Sequence, residues 1–182
     1  MTIENRTGRS GIVEELIKLE ASGSKGQTGV SLTSVPGETE YFLEMSESFA
    51  ARGRLQVLTL EAAGRIAAMQ LSLRGKEGIF ALKTSYDESL RRFGPGVLLQ
   101  LGSIEYFHES TDAQWLDSCT YADNELLLRL YPDRRPIVSY LVSLCGRLDS
   151  SFLRALPALR SLRSSVHSKR GRGQTESAVE PD

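Results

Sequence analysis

The chain has 182 residues, 40% of them hydrophobic and 25% charged, enough for one ordinary domain that needs neither disulfides nor a metal to hold its core. Its 22 basic and 23 acidic side chains leave a net charge of -1. That balance supplies no bulk attraction to nucleic acid, and no nucleic-acid partner is expected.

Cys119 and Cys145 are the only cysteines and His108 and His167 the only histidines. No spacing among them resembles a zinc site, so no metal is expected, and both cysteines sit in apolar patterns where a thiol packs as a small hydrophobe. Residues 1–10 are polar without an apolar run, and no stretch approaches the roughly 20 apolar residues that span a bilayer. A cytoplasmic protein without a membrane span is expected.

In residues 10–20, Ile12, Val13, Leu16, Ile17 and Leu19 recur at helical spacing with acids early, which predicts a short amphipathic helix. Gly23, Gly26, Gly29, Pro36 and Gly37 make 21–37 a loop, with room for a brief strand at 30–32. A second helix is predicted over 38–52 from Tyr41, Phe42, Met45 and Phe49, with Gly53 as its stop and Glu40, Glu44 and Glu47 on a solvated face. Three apolar runs of strand length follow at 54–61, 65–73 and 78–86, separated by intervals short enough for hairpins: an antiparallel meander.

The third run leads into Arg91-Arg92-Phe93-Gly94-Pro95-Gly96-Val97 and then a helix over 97–109. That helix is read as packing on the sheet along Val97, Leu98, Leu101, Ile104 and Phe107, with Glu105 on the same line. Residues 114–119 read as a further strand, and strand, helix crossover and strand make two parallel neighbours. Asp123 or Asn124 is placed to cap a helix over 125–131 that Pro132 ends. The leucine-rich stretch 136–165, with Arg147, Arg154, Arg160 and Arg163 and an interruption at Pro157, reads as a helical pair that docks on the domain or on another subunit; adhesion to an anionic membrane is the second reading. The polar segment 168–182 reads as a disordered tail.

An R-x-x-G-x-G turn that opens a helix gathers main-chain N–H groups at the positive end of the helix dipole, an arrangement that suits a phosphate or pyrophosphate. The other reading is a tight strand-to-helix connection whose glycines supply unusual dihedrals and nothing more. Donors on the first reading are the N–H groups of Arg92, Phe93, Gly94, Gly96 and Val97, with Arg91 or Arg92 adding charge. Pro95 fixes the turn's shape without donating.

The order helix, three antiparallel strands, R-x-x-G-x-G turn, helix, strand, helix resembles the GCN5-related N-acetyltransferase (GNAT) superfamily over about residues 10–140. The match is to its FemAB-like, BioF2-like (CelD-type) branch. The string Leu19-Glu20-Ala21-Ser22-Gly23-Ser24-Lys25-Gly26, the turn itself, Leu116-Asp117-Ser118-Cys119, and Asn124 with Tyr131 carry the likeness. It implies an α/β (α+β) fold whose central, mostly antiparallel sheet holds one parallel, splayed strand pair and is flanked by helices. Residues 1–37 are then an N-terminal helix and loop, 38–140 the acetyltransferase domain, 141–167 amphipathic helices and 168–182 the tail.

The resemblance further implies acetyl-CoA or another acyl-CoA as co-substrate, bound in the splay with its pyrophosphate on the turn. Main-chain groups of Leu82, Lys83, Thr84 and Ser85 would hold its amides, and Asn124 belongs to the cofactor-binding set. Tyr131 is implied as the acid that protonates the departing thiolate, although it reads equally as a core aromatic whose hydroxyl reaches water. Asp117, or else Asp87 or Tyr86, is the base for a small-molecule or peptide amine, although Asp117 serves equally as a carboxylate holding the main chain of its loop.

The sequence departs from the branch at Ser24, where relatives carry Trp. It also holds one such domain where that branch usually has two, which leaves open a second GNAT-like domain or a homodimer partner. The rivals to acyl transfer from coenzyme A are a non-catalytic remnant serving as an interaction module and a FemAB-like aminoacyl transferase.

Overall fold

A computed structural model of the chain describes residues 1–121, 124–138 and 140. It divides into two compact units, Met1–Asp133 and Arg134–Asp182; the first is described below. Asp123, Cys145, His167, the predicted helices of 141–167 and the tail of 168–182 lie outside the described residues.

The first unit runs β1 (Thr2–Asn5), α1 (Ile12–Ser22), the single turn α2 (Ser24–Gln27), α3 (Glu38–Ala50), β2 (Leu55–Ala62), β3 (Arg65–Arg74), β4 (Gly78–Tyr86), a 3-10 helix (Glu88–Phe93), α4 (Pro95–Ser110), β5 (Trp115–Asp117) and α5 (Glu125–Leu130). The five strands form one sheet in the order β1-β2-β3-β4-β5. All neighbours are antiparallel except β4 and β5, which run parallel. This is the α/β sandwich with one parallel pair that the sequence implied.

Alternation along β2 and β3 divides the core between the two faces of the sheet. Leu55, Val57, Met69 and Leu71 meet Ile12, Leu16 and Ile17 of α1 and Phe42 of α3. On the opposite face Leu58, Leu60, Ala67 and Ala68 meet Leu99 of α4, with Ile3 of β1 packed alongside.

Three local expectations need correction. Residues 30–32 form no strand: Val30 is exposed, and Ser31 is buried in a turn where its hydroxyl bonds those of Thr33 and Ser34. The polar N-terminus contributes β1, whose main chain pairs Thr2–Asn5 with β2, so tertiary pairing outweighs a weak local pattern.

The third correction concerns the face of α4. It is not the line through Val97, Leu101 and Glu105, since Leu101 is 47% exposed. The helix buries Leu99, Gln100, Gly102 and Ser103. A Cβ at Gly102 would stand 2.5 Å from Ile3 Cγ1, so the missing side chain lets α4 lie close to the sheet. Gln70 Nε2 donates to Ser103 Oγ at 2.8 Å across the same contact. A small, polar stripe packs where counting apolar residues points elsewhere.

Candidate functional site

The parallel pair is short. β5 meets β4 only at Gly78↔Trp115, Ile79↔Leu116 and Phe80↔Asp117, while β4 continues to pair with β3 as far as Tyr86. Immediately after Phe80 the register with β3 shifts: Phe80 faces Leu73 and Lys83 faces Leu71, so Ala81 and Leu82 together stand opposite Ser72. An extra residue in one strand bends that strand and increases its twist. The bend begins where pairing with β5 ends, and the side of residues 82–85 turned toward β5 carries no ladder to it.

Past Tyr86 the chain enters the glycine turn. Asp87 caps the 3-10 helix, its Oδ1 accepting from Ser89 N–H at 2.9 Å and from Ser89 Oγ at 2.6 Å. The Ser89 hydroxyl bond, helped by Arg65, holds the Asp87 carboxyl below its usual range, which weakens it as a base. Gly94 then takes a left-handed conformation (φ 61°, ψ 45°) and turns the chain directly into the 16-residue α4. Gly96 lies against Tyr86, where a Cβ would come within 3.2 Å of the ring.

Main-chain partners narrow the set of donors the sequence offered. Gly94 N–H bonds Arg91 O, and Val97 and Leu98 N–H share Gly94 O, all at 3.0 Å. Arg92 and Phe93 lie inside the 3-10 helix, whose i→i+3 pattern uses main-chain N–H groups. Gly96 N–H falls in the first turn of α4, among the donors a helix leaves without an i−4 carbonyl. Arg91, Arg92 and Phe93 are exposed, and the Arg92 guanidinium lies 4.5 Å over the Phe93 ring.

The two faces of β4 beyond the bulge serve different neighbours. On the α4 side, Gln100 Nε2 donates to Thr84 Oγ1 at 3.1 Å, and Tyr131, just past α5, donates its hydroxyl to Gln100 Oε1 at 2.7 Å. Burial pushes the Tyr131 phenol up to about 12, so it keeps its proton at neutral pH. On the α1 side, Lys83 Nζ sits 2.5 Å from Oε1 of the buried Glu20, with Lys25 Nζ at 3.5 Å and Leu32 N–H donating to Glu20 Oε2 at 3.1 Å.

A cavity of about 180 Å³ opens beside this cluster, lined by Leu19, Gly23, Ser24, Ser85, Tyr86 and Glu88 among others. Ser85 Oγ is buried there without a hydrogen-bond partner. Ser24 N–H reaches Glu88 Oε1 at 3.4 Å, and the Ser24 contact heads the causes that hold the Glu88 carboxyl below its usual range. A larger hollow of about 340 Å³ between α1 and β3 contains none of the turn residues.

Asp117 and Asn124 both hold main chain. Asp117, opposite Phe80 at the last paired position of β5, accepts from Cys119 N–H at 2.8 Å. Asn124 caps α5 by accepting from Leu127 N–H at 3.2 Å, the capping role its place in the sequence implied. The structure thus links Thr84 and Tyr131 through a residue the sequence reading missed, Gln100. Its signal was there: a lone amide in the otherwise apolar Val97-Leu98-Leu99-Gln100-Leu101. Among the described residues no group of three His, Cys, Asp or Glu is placed to hold a metal, and no helix is long and apolar enough to cross a membrane.

A sheet opened at a parallel pair, next to a glycine turn at a helix N-terminus, defines the architecture of an N-acyltransferase. A family model described as "Acetyltransferase (GNAT) domain" matches residues 4–125. The chain belongs to the GNAT acetyltransferase family and is an enzyme of acyl transfer. Comparison with curated proteins gives no match.

Among solved structures, the chain is similar to a protein described as a "probable acetyltransferase" (15% identity, TM-score 0.55, 81% of this chain and 100% of that one). It is similar also to an aminoglycoside acetyltransferase, meta-AAC0020, from an uncultured soil metagenomic sample, in complex with sisomicin (10%, 0.53, 79% and 96%). A third is AAC(6')-Iy bound to the bisubstrate analog CoA-S-monomethyl-acetylneamine (12%, 0.53, 80% and 100%). At these identities the likeness is one of fold.

Proposed function

We propose that this chain transfers an acetyl group from acetyl-CoA to a primary amine by direct attack, using the opening between β4 and β5. The observation that carries the reading is the coincidence of three features on one strand: pairing with β5 that stops at Phe80, the bulge at Ala81 and Leu82, and the turn into α4 that follows. When bound, acetyl-CoA supplies an activated acyl carbon and a thiol that can leave.

The exposed side chains of Arg91 and Arg92, the Gly96 N–H and the positive end of α4 form the pyrophosphate seat. Gly94 and Val97 shape its first turn, and the Phe93 ring with Arg92 stacked on it borders the seat. Main-chain groups of Leu82, Lys83, Thr84 and Ser85 on the β5 side receive the amides and stabilise charge developing on the thioester oxygen. The Lys83 side chain takes no part, being held by Glu20.

The amine enters from the cavity between α1, α2 and the end of β4, where Ser85 Oγ and the ionised Glu88 receive it. Attack forms an N–C bond as the C–S bond breaks. Asp117 at the mouth of the opening takes the proton the amine sheds, and Tyr131 gives one to the departing sulfur. Asn124 acts through α5, whose first turn it caps and whose end carries Tyr131. The FemAB-like, BioF2-like kinship belongs to the same reading, with a second such domain or a second copy of this chain as partner.

Calorimetric titration with acetyl-CoA tests the seat. Gly94→Glu and Gly96→Glu should each weaken binding by more than about tenfold with the circular dichroism spectrum unchanged. Undiminished binding by both variants would overturn it. Asp117→Asn keeps an oxygen for Cys119 N–H while removing the base, so unchanged turnover with that variant excludes Asp117 from proton transfer.

A further inference from the structure

Gln100 bonds both the open strand and the predicted acid. It is 5% exposed and sits on α4 between Leu99 and Leu101. A leucine there would bring no polar group to satisfy, whereas a buried carboxamide costs free energy at each end left unbonded. Both ends are bonded, and to hydroxyls: Nε2 to Thr84 Oγ1 at 3.1 Å and Oε1 to Tyr131 Oη at 2.7 Å.

A carbonyl oxygen only accepts, so in this arrangement the Tyr131 proton points at Gln100. Nε2 donates to Thr84, whose own proton is then directed elsewhere. We propose that Gln100 is the positioning residue of the acyl-transfer site, its single carboxamide setting the direction of the Tyr131 proton and coupling it to Thr84 on the open strand. The proposal rests on the acyl-transfer reading above.

Because both partners are hydroxyls, half a turn of the carboxamide preserves both bonds and reverses their sense. Nε2 then donates to Tyr131 Oη, Thr84 donates to Oε1, and the Tyr131 proton is released toward the open strand. In that arrangement Tyr131 can give its proton to the departing sulfur, which has taken the electron pair of the broken C–S bond. The phenolate left behind accepts from Nε2 until the proton that Asp117 took from the amine is passed on to restore it. Glutamate lacks the donor this reversal needs, and leucine lacks both groups.

The test uses Gln100→Glu, Gln100→Leu, Tyr131→Phe and the double variant Gln100→Glu/Tyr131→Phe in the full chain. Tyrosine labelled with carbon-13 at Cζ reports the hydroxyl's hydrogen bond at neutral pH, with Tyr131 assigned from its loss in Tyr131→Phe. Its resonance should move one way in the Glu variant, where a stronger acceptor faces the phenol, and the opposite way in the Leu variant, where none does. With acetyl-CoA and a panel of primary amines, Gln100→Glu should lower kcat at least about tenfold with KM for acetyl-CoA within about twofold. The double variant should be no slower than Tyr131→Phe alone.

A Tyr131 resonance unmoved by both substitutions, or kcat losses that multiply in the double variant, would overturn the proposal. Absence of turnover in the unmodified chain would count against acyl transfer itself, and the resonance shifts would still decide whether Gln100 directs the phenol.

Discussion

Replacing Lys83 by Met separates a structural ion pair from a ligand contact. Lys83 Nζ lies 2.5 Å from Glu20 Oε1, and the Glu20 side chain is 2% exposed. Removing one member of a buried pair typically costs about 3–5 kcal/mol, because the other charge is left without compensation. Lys25 and Leu32 N–H still attend Glu20, which brings the expected cost of Lys83→Met down to about 2–3 kcal/mol. In urea that is a fall in midpoint of about 1–2 M at unchanged slope.

Glu20→Met/Lys83→Met removes both charges and leaves mainly the unbonded Leu32 N–H, at about 1 kcal/mol. The double variant should therefore be more stable than Lys83→Met alone. Acetyl-CoA affinity of Lys83→Met should stay within about twofold, since only the main chain at this position is assigned to the ligand. A loss of stability under about 1 kcal/mol together with an affinity loss of tenfold or more would refute the argument. The ammonium would then face the ligand and not Glu20.

Three further outcomes follow from the geometry. A Cβ at Gly78 would stand 2.3 Å from the Trp115 ring, so Gly78→Ala should cost about 1–3 kcal/mol by overpacking and shift the fluorescence of the chain's single tryptophan. Tyr131, raised to about 12 by burial, gives stability fully present below about pH 10 and lost as pH climbs to the folded value. The amount is about 2–3 kcal/mol, and Tyr131→Phe should flatten that alkaline limb in pH-dependent urea melts. Asn124→Ala removes the α5 cap and should cost about 1 kcal/mol, visible as faster amide exchange at Leu127 and Leu128.

Where the sequence spoke clearly, one dominant signal was at work. The meander was legible because each strand is a continuous apolar run closed by turn residues, and the turn because Gly94 and Gly96 flank Pro95 at a helix start. β1 was not, because its stability comes from pairing with β2 and from Ile3 under Gly102, contacts between partners far apart in sequence. The packing face of α4 was misjudged for a related reason, since glycine, serine and glutamine pack there through close approach and paired polar groups.

The site divides in the same way. The glycine turn is a local reading of residue type, and Thr84 and Tyr131 entered through the resemblance alone. Gln100 becomes visible only when β4, α4 and α5 are brought together, and the engagement of Lys83 by Glu20 only when α1 is laid on β4. Spacing says nothing of either.

The extra residue at Ala81 and Leu82 resets the alternation of β4, so that Lys83 shares a face with Phe80 three positions earlier. Cross-strand partners share a face, so removing one of the two would leave Lys83 opposite Leu71 and Thr84 opposite Gln70. Both partnerships, with Glu20 and with Gln100, would survive. A single-codon deletion there would therefore straighten the strand beside β5 and narrow the gap in the sheet while sparing the contacts on either side of it.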